Sequence, residues 1–145
     1  MDFLVTIPFV DLLGFELRRF EPGESEVAVE LRDDLCNSFG VAHGGVSMTL
    51  LDVAMAVAAR SPGADGAADD SGVVTIEMKT SFMRPGLGRL VAVGRRLHRT
   101  ASLAFCEATM TDHQGLLVAQ ATGTFKYVRA LPVGGRRIQR PNASD

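Results

Sequence analysis

A single acidic residue lies within a long apolar stretch of the sequence. Asp52 is the only charged residue between Gly44 and Ala59, and this stretch contains no proline. Its apolar residues fall on nearly every side of a helix, which is the pattern of a helix enclosed by protein. A carboxylate buried there is costly unless it is paired or hydrogen-bonded. Asp52 is therefore a candidate for acid–base chemistry, or else an aspartate that only satisfies a neighbouring backbone or hydroxyl group.

The residues just before this helix could bind an anion. Asn37 begins a run of turn-forming residues that leads into His43, Gly44 and Gly45. Two glycines let a ligand approach the backbone closely, and the first N–H groups of a helix have no partner within it. Such groups can hold an anion or a developing oxyanion. The other interpretation is that His43 caps the helix and that the glycines serve packing or a turn.

The spacing between the helix start and the carboxylate limits how the two can act. Gly44 and Asp52 are eight residues apart, and a helix rises about 1.5 Å per residue, so they lie about 12 Å apart along the axis. One reacting carbonyl cannot touch both. Either the two groups do not act together, or two chains each contribute one half of a site, which requires a homodimer with two sites at its interface.

Hydrophobic periodicity predicts one long helix and about six strands. The long helix covers residues 44–60 and a short one covers 9–13. The predicted strands cover 15–20, 26–31, 73–83, 89–99, 103–111 and 116–128. Their connections are of hairpin length except for residues 32–42 and a flexible segment, 61–72, so the strands should be antiparallel. This pattern indicates a two-layer α+β domain.

Strict alternation in the strand over 73–83 predicts which side chains share a face. Four of them are expected on one side of the sheet: Val74, Ile76, Met78 and Phe82. Four polar residues are expected on the other: Thr75, Glu77, Lys79 and Ser81.

Length and composition indicate one globular domain. The chain has 145 residues, of which 46% are hydrophobic and 22% charged, enough for a packed core. We assign the domain to residues 1–128 and predict that the Gly/Arg/Pro-rich residues 129–145 are disordered. The net charge of −2 argues against nucleic-acid binding. The apolar stretch is too short for a membrane span, and the N-terminus does not resemble a signal peptide.

The two cysteines do not indicate a disulfide framework or a metal site. Cys36 and Cys106 are too few and lack metal-ligand spacing, which fits a reducing cytoplasm. Cys36 is adjacent to Asn37, but no His/Asp arrangement supports a nucleophile there, and a small buried hydrophobe is favoured. We expect no metal and no cofactor.

Together, the motif residues resemble a known family. Asn37, His43-Gly44-Gly45 and Asp52, with these gaps, are similar to the signature of the hotdog-fold acyl-CoA thioesterases. The specific branch is that of the PaaI-like and thioesterase-superfamily-member-2-like proteins.

Two flanking segments extend the resemblance to residues 7–128. Val74 to Pro85 is similar to the strand that follows the helix in this family, and Ile7 to Leu17 resembles its N-terminal segment. The resemblance implies a hotdog fold, in which a curved sheet wraps one central helix. It also implies a homodimer with paired antiparallel helices and edge-to-edge sheets, and active sites shared between the chains. We further expect two such dimers to form a tetramer.

The resemblance implies hydrolysis of an acyl- or aryl-CoA to free acid and CoA. The Gly44 N–H would hold the thioester oxygen, and Asp52 of the partner would act as a general base on water or as a nucleophile that gives an anhydride. Asn37 would orient the water or the thioester. His43 would position the substrate or order the loop. Thr75 aligns with a hydroxyl that helps hold the water in relatives, or is an ordinary strand threonine.

The phosphates of CoA should be met by cations. We expect Gly45 and Arg84 to contact the substrate. Arg84 belongs to a group of arginines, most of which we interpret as solvated surface charges: Arg84, Arg89, Arg95, Arg96 and Arg99.

Three alternatives remain open. A non-catalytic acyl-CoA-binding hotdog regulator would normally carry a DNA-binding segment, and no helix-turn-helix pattern is visible. An enoyl-CoA hydratase of the same fold typically has a His one helical turn after its Asp, and residues 53–60 contain none. A purely structural subunit would leave Asp52 without a role.

A sister branch of the same family has Glu at the position of the acid and Thr one helical turn later. The corresponding residues here are Asp52 and Ala56, which separates this chain from that branch. The difference does not identify the acyl group.

Overall fold

The computed structural model describes residues 1–62 and 71–139. The elements in these ranges are α1 (Pro8–Leu13), β1 (Glu16–Glu21), β2 (Glu24–Glu30), a 3₁₀ turn (Asp33–Leu35), α2 (Gly44–Arg60), β3 (Gly72–Phe82), β4 (Arg89–Arg99), β5 (Leu103–Thr111) and β6 (Leu117–Val128). The predicted long helix and the six predicted strands are confirmed to within two residues at each end. Residues 63–70 of the predicted flexible segment lie outside the described ranges. No helix in the described parts of the chain is long and apolar enough to cross a membrane.

The strands form one antiparallel sheet around α2. Their order is β1-β2-β4-β5-β6-β3, so β1 and β3 are the edge strands. Hairpins join β1 to β2, β4 to β5 and β5 to β6, as their short connections require. The predicted α+β architecture is therefore confirmed.

The backbone of α2 packs directly on the middle of the sheet. Leu50, Leu51 and Met55 are fully buried between them. The Ser25 hydroxyl of β2 donates to the Ala54 carbonyl at 2.6 Å. On β4, a Cβ built at Gly94 would lie 2.2 Å from the same carbonyl oxygen, so only glycine fits there. These close contacts fix α2, and thus the candidate site, relative to the sheet.

The prediction that α2 is enclosed on every side is wrong for the single chain. Exposed or half-exposed residues recur along it every three or four positions: Gly45, Met48, Asp52, Ala56 and Arg60. This spacing marks one helix face. The face is open because the sheet curls around only the opposite side of the helix. The open stripe contains Asp52.

The predicted alternation along β3 is wrong because the strand contains a β-bulge. Its register with β6 shifts between Thr75 and Glu77, which makes Ile76 an extra residue. As a result the Thr75 side chain reaches α2 and Met78 also packs against the core, although strict alternation places them on opposite faces. Glu77 instead pairs with Thr124 on the outer face of the sheet.

The chain beyond β6 runs back past the N-terminus. The Thr6 N–H donates to the Gln139 carbonyl at 2.7 Å, and the Leu131 N–H donates to the Arg136 carbonyl at 2.8 Å. Between residues 131 and 139 only Ile138 is partly buried, and the others are exposed. Our prediction of disorder from Arg129 onward also covers residues 140–145, which lie outside the described ranges.

Candidate active site

Asp52 and Thr75 form a hydrogen-bonded pair on the open face of α2. The Thr75 hydroxyl donates to Asp52 Oδ1 at 2.7 Å, a short distance typical of a hydroxyl bound to a carboxylate. Burial raises the pKa of Asp52 above its ordinary value, and the hydrogen bond from Thr75 lowers it and offsets part of that effect. No residue that the structure describes hydrogen-bonds to the second oxygen, Oδ2, which can therefore accept from another partner. The pair is an oriented carboxylate whose proton affinity is increased.

His43 caps the N-terminus of α2. Its Nδ1 accepts a hydrogen bond from the Gly45 N–H at 2.9 Å, and its carbonyl accepts from the N–H groups of Val46 and Ser47 at 2.9 and 3.1 Å. Because Nδ1 is the acceptor, the neutral ring carries its proton on Nε2. Nε2 can then donate to a ligand.

One N–H at the start of the helix is left for a ligand. The Gly45 N–H is occupied by His43, whereas no group in the described ranges bonds to the N–H of Gly44. The predicted pair of free donors is therefore reduced to one.

The two glycines serve different purposes. A Cβ at Gly45 would lie 3.1 Å from His43 Nδ1 and would crowd the cap. A Cβ at Gly44 would lie 3.7 Å from Cζ of Phe82, an ordinary contact. Gly45 thus accommodates the imidazole, while Gly44 leaves its N–H approachable.

Asn37 orders the loop that precedes the helix. Its Oδ1 accepts from the N–H groups of Phe39 and Val41 at 2.9 and 3.4 Å, and its own N–H donates to the Val41 carbonyl at 2.8 Å. The side-chain NH₂ has no hydrogen-bond partner among the residues that the structure describes and can still donate to a ligand.

The single chain does not bring the two halves of the candidate site together. Gly44, His43 and Asn37 lie at the N-terminal end of α2, whereas Asp52 and Thr75 lie about two turns further along, at about 12 Å by the helical rise. This separation follows from the regular helix between Gly44 and Arg60.

Arg84 lies near the start of α2 but its side chain is already engaged. Its Nη1 donates to the Leu117 carbonyl at 2.7 Å, and the residue is exposed. It follows β3 closely after Phe82, whose ring lies beside Gly44.

The remaining arginines of the predicted group also have partners. Arg89 pairs with two glutamates, and Arg95 pairs with Glu107. Arg96 donates to backbone carbonyls at the C-terminal end of α2, and Arg99 stacks on the Tyr127 ring. Arg96 thus contacts the C-terminal end of α2, and the partners of Arg89, Arg95 and Arg99 lie on neighbouring strands of the sheet.

Neither cysteine has the surroundings of a nucleophile. Cys106 is buried, and burial raises the pKa of its thiol to about 12. Cys36 is only half-buried, and its Sγ contacts the Arg32 carbonyl at 3.5 Å. The described residues contain no group of three or more His, Cys, Asp or Glu side chains that could hold a metal ion.

A cavity beside Asp52 is a feature that sequence reasoning missed. Its volume is about 650 Å³, and both Asp52 and Thr75 line it. Residues 5–8, 128–131 and 136–139 form much of its wall. No signal in the sequence pointed to it, because the segment after β6 has the composition of a tail.

Comparison with known proteins identifies the family to which this chain belongs. The thioesterase superfamily profile matches residues 39–119, a range that contains both His43-Gly44-Gly45 and Asp52. The chain is similar to the medium/long-chain acyl-CoA thioesterase YigI of Escherichia coli, with 27% identity over 135 residues, 85% of this chain and 87% of that protein.

Solved structures agree with the profile. The conserved protein PA5202 from Pseudomonas aeruginosa is similar with a TM-score of 0.77 and 29% identity, over 86% of this chain and 97% of that chain. The Escherichia coli PaaI protein from the phenylacetic acid degradation operon has the same fold, with a TM-score of 0.74 and 22% identity over 83% of each chain. The resemblance predicted from the motif is thereby confirmed: the chain belongs to the thioesterase superfamily and has the hotdog fold.

Proposed function

We propose that this protein hydrolyses the thioester of an acyl-CoA to the free acid and CoA, at sites shared between two copies of the chain. The observation that carries the proposal is the Asp52–Thr75 pair on the one face of α2 that the chain leaves open. Membership in the thioesterase superfamily supports it, as does the similarity to a relative named as an acyl-CoA thioesterase.

A second copy would complete the site. If two α2 helices lie antiparallel along their open faces, the Gly44 N–H of one chain approaches Asp52 of the other. The edge strand β3 favours such pairing, because it is 11 residues long and leaves Ile76 and Phe82 about half exposed. A long edge strand presents unpaired backbone N–H and C=O groups with which a second chain can pair. Two such dimers are proposed to associate further into a tetramer.

In the proposed reaction, the thioester carbonyl accepts a hydrogen bond from the Gly44 N–H, which stabilises the negative charge that develops on this oxygen. The free NH₂ of Asn37 and the Nε2–H of His43, in the same loop, position the substrate. Asp52 of the other chain takes a proton from water as the water attacks the carbonyl carbon. The tetrahedral intermediate then expels the CoA thiolate, which takes up that proton.

The surroundings of Asp52 suit a general base. Burial raises its pKa, so the carboxylate accepts a proton more readily than a solvated one, and Thr75 fixes its orientation. Direct attack by Asp52 on the carbonyl, with an anhydride intermediate, is the other route. The two are separated by turnover in H₂¹⁸O: label in the Asp52 side chain would require the anhydride, and label in the released acid alone agrees with a general base.

The decisive experiment is Asp52→Asn in an assay of free thiol release over short-, medium- and long-chain and aryl-CoA substrates. Turnover should fall by at least about 100-fold, the usual scale for loss of a general base. A wild-type protein that binds these substrates without releasing thiol would instead be a non-catalytic binder. Near-normal rates in the variant would refute the role of Asp52.

The same variant should fold normally. Because the folded-state pKa of Asp52 is raised above its unfolded value of about 4, the stability that this group contributes is present below that value and lost as the pH rises through the folded-state pKa. At neutral pH, Asp52→Asn should thus resist thermal unfolding at least as well as the wild type. A folded, inactive variant separates chemistry from stability.

Sharing of the site is tested by mixing inactive chains. An Asn37→Ala chain and an Asp52→Ala chain should regain part of the activity on refolding together, because one site of the mixed dimer carries both substitutions and the other carries neither. Two differently tagged Asp52→Ala chains are the matched control and should stay inactive. Mixed dimers as inactive as their parents would rule out the shared site.

A further inference from the structure

The cavity beside Asp52 runs along α2 away from the helix start. Its α2 wall consists of residues on one helical stripe: Asp52, Val53, Ala56, Val57 and Arg60. Asp52 lies at one end of the stripe, and the residues between it and Arg60 are aliphatic and small. The proposed reaction centre therefore opens directly onto an apolar channel.

The opposite wall includes much of the segment 129–139, which follows β6 and is here called the C-terminal strap. Ile138 holds it against the start of β3: a Cβ built at Gly72 would lie 2.3 Å from Ile138 Cδ1, so this glycine makes room for the side chain. The Thr6–Gln139 backbone hydrogen bond fixes the end of the strap. Leu131 and Ile138 both line the cavity. The strap thus adds a second wall to the groove along α2 and deepens it into a cleft.

The chemistry of the walls selects the kind of group that fits. Aliphatic side chains make up about half of the lining, and Asp52 is the only carboxylate among the described residues that line it. Four arginines also line the cavity: Arg60, Arg129, Arg136 and Arg137. Along α2, however, the lining residues between Asp52 and Arg60 are all aliphatic, and a hydrocarbon chain that lies against them gains by leaving water. A volume of about 650 Å³ is within the range of sites that enclose a whole small molecule, and a single aryl ring would leave much of it empty.

We propose that this cavity binds the hydrocarbon chain of a straight-chain fatty acyl-CoA, and that Leu131 and Ile138 of the C-terminal strap set the preferred chain length. The inference rests on the proposed thioesterase function. It assigns a role to the segment after β6, which lies outside the residues matched by the thioesterase superfamily profile. The thioester lies at Asp52, and the chain extends along α2 under the strap.

The test is a series of saturated acyl-CoAs from butanoyl- to hexadecanoyl-CoA. Each methylene that enters the cavity should raise kcat/KM about fourfold, the value of one buried CH₂, until the cavity is full. Ile138→Ser should abolish this gain for the longer substrates and should lower kcat/KM much less for butanoyl-CoA than for dodecanoyl-CoA. Val133→Ser is the matched control, because Val133 is in the strap, is 70% exposed and does not line the cavity.

A second variant fills the cavity instead of opening it. Ala56→Leu, one helical turn beyond Asp52, should shift the optimum to shorter chains. Unchanged length profiles in both variants would overturn the proposal. An equal loss at every length would also overturn it, because the cavity would then hold the part that all substrates share, CoA itself.

Failure of the proposed function gives a different result. If the wild type hydrolyses no acyl-CoA, calorimetric titration with dodecanoate still tests whether the cavity binds a fatty acyl chain. Binding by the wild type and the Val133→Ser control, but not by Ala56→Leu, would support the cavity as a fatty-acyl site without catalysis. No binding by the wild type would refute it.

Discussion

The hydrogen bond between Thr75 and Asp52 gives the sharpest prediction about the proposed chemistry. Thr75→Val keeps the shape of the side chain and removes the hydroxyl that donates to Asp52 Oδ1 at 2.7 Å. A hydrogen bond to a charged group contributes about 1.5–3 kcal/mol. We take the lower end, because Asp52 is half-exposed in the single chain. A loss of about 1.5 kcal/mol corresponds to a fall in kcat/KM of slightly more than tenfold.

The same change should move the pH profile in a defined direction. Burial raises the pKa of Asp52 and the Thr75 hydrogen bond lowers it. Without the hydroxyl, the pKa of Asp52 must rise further, so the carboxylate stays protonated and inactive up to a higher pH. The acidic limb of kcat/KM, which reports the free enzyme, should therefore shift to higher pH in Thr75→Val.

The assay is free thiol release against pH, with two controls. Thr75→Ser keeps the hydroxyl and should resemble the wild type. Thr124→Val removes a hydrogen bond of the same type and the same 2.7 Å length, to Glu77, on the outer face of the sheet, and should change neither the rate nor the profile. A Thr75→Val profile that coincides with the wild type, or moves to lower pH, would refute the assignment of this limb to Asp52.

Three further predictions concern the helix start and its packing. Gly44→Ala should keep most activity, because its Cβ would lie at an ordinary 3.7 Å from the Phe82 ring. Gly44→Val should crowd that ring and block the approach of the thioester. Equal kinetics for the two variants would contradict the role of the Gly44 N–H. His43→Ala should raise KM more than it lowers kcat, the mark of lost uniform binding, and should lower stability by about 1 kcal/mol through loss of the cap; a large fall in kcat alone would place His43 in the chemistry. Gly94→Ala should destabilise the fold by about 1–3 kcal/mol, because its Cβ would lie 2.2 Å from the Ala54 carbonyl oxygen; an unchanged denaturant midpoint would contradict this packing.

The sequence was informative where structure depends on neighbouring residues. The apolar, proline-free run from Gly44 to Arg60 predicted α2 with both ends correct, and Gly and Pro turns bounded the strands. The motif of Asn37, His43-Gly44-Gly45 and Asp52 indicated the family, because its fixed spacing reflects a loop entering a helix. Those spacings also predicted that one chain cannot complete the site.

Other features of the candidate site depend on contacts between segments that are distant in the sequence. Thr75 reaches Asp52 only because the register of β3 against β6 inserts a bulge at Ile76, and no local pattern marks that bulge. The open face of α2 was also hidden, since an apolar helix does not reveal which side its own sheet leaves uncovered.

The three-dimensional structure also determines which N–H group at the start of α2 can bind a ligand. The sequence identified His43 and both glycines, but only the orientation of the imidazole showed that the Gly45 N–H is occupied and the Gly44 N–H is not. At the other end of the chain, the composition of the strap predicted a tail. In the structure, Ile138 of the strap packs against Gly72 at the start of β3 and forms part of the cavity wall. This contact joins two segments that are distant in the sequence, so neither segment predicts it alone.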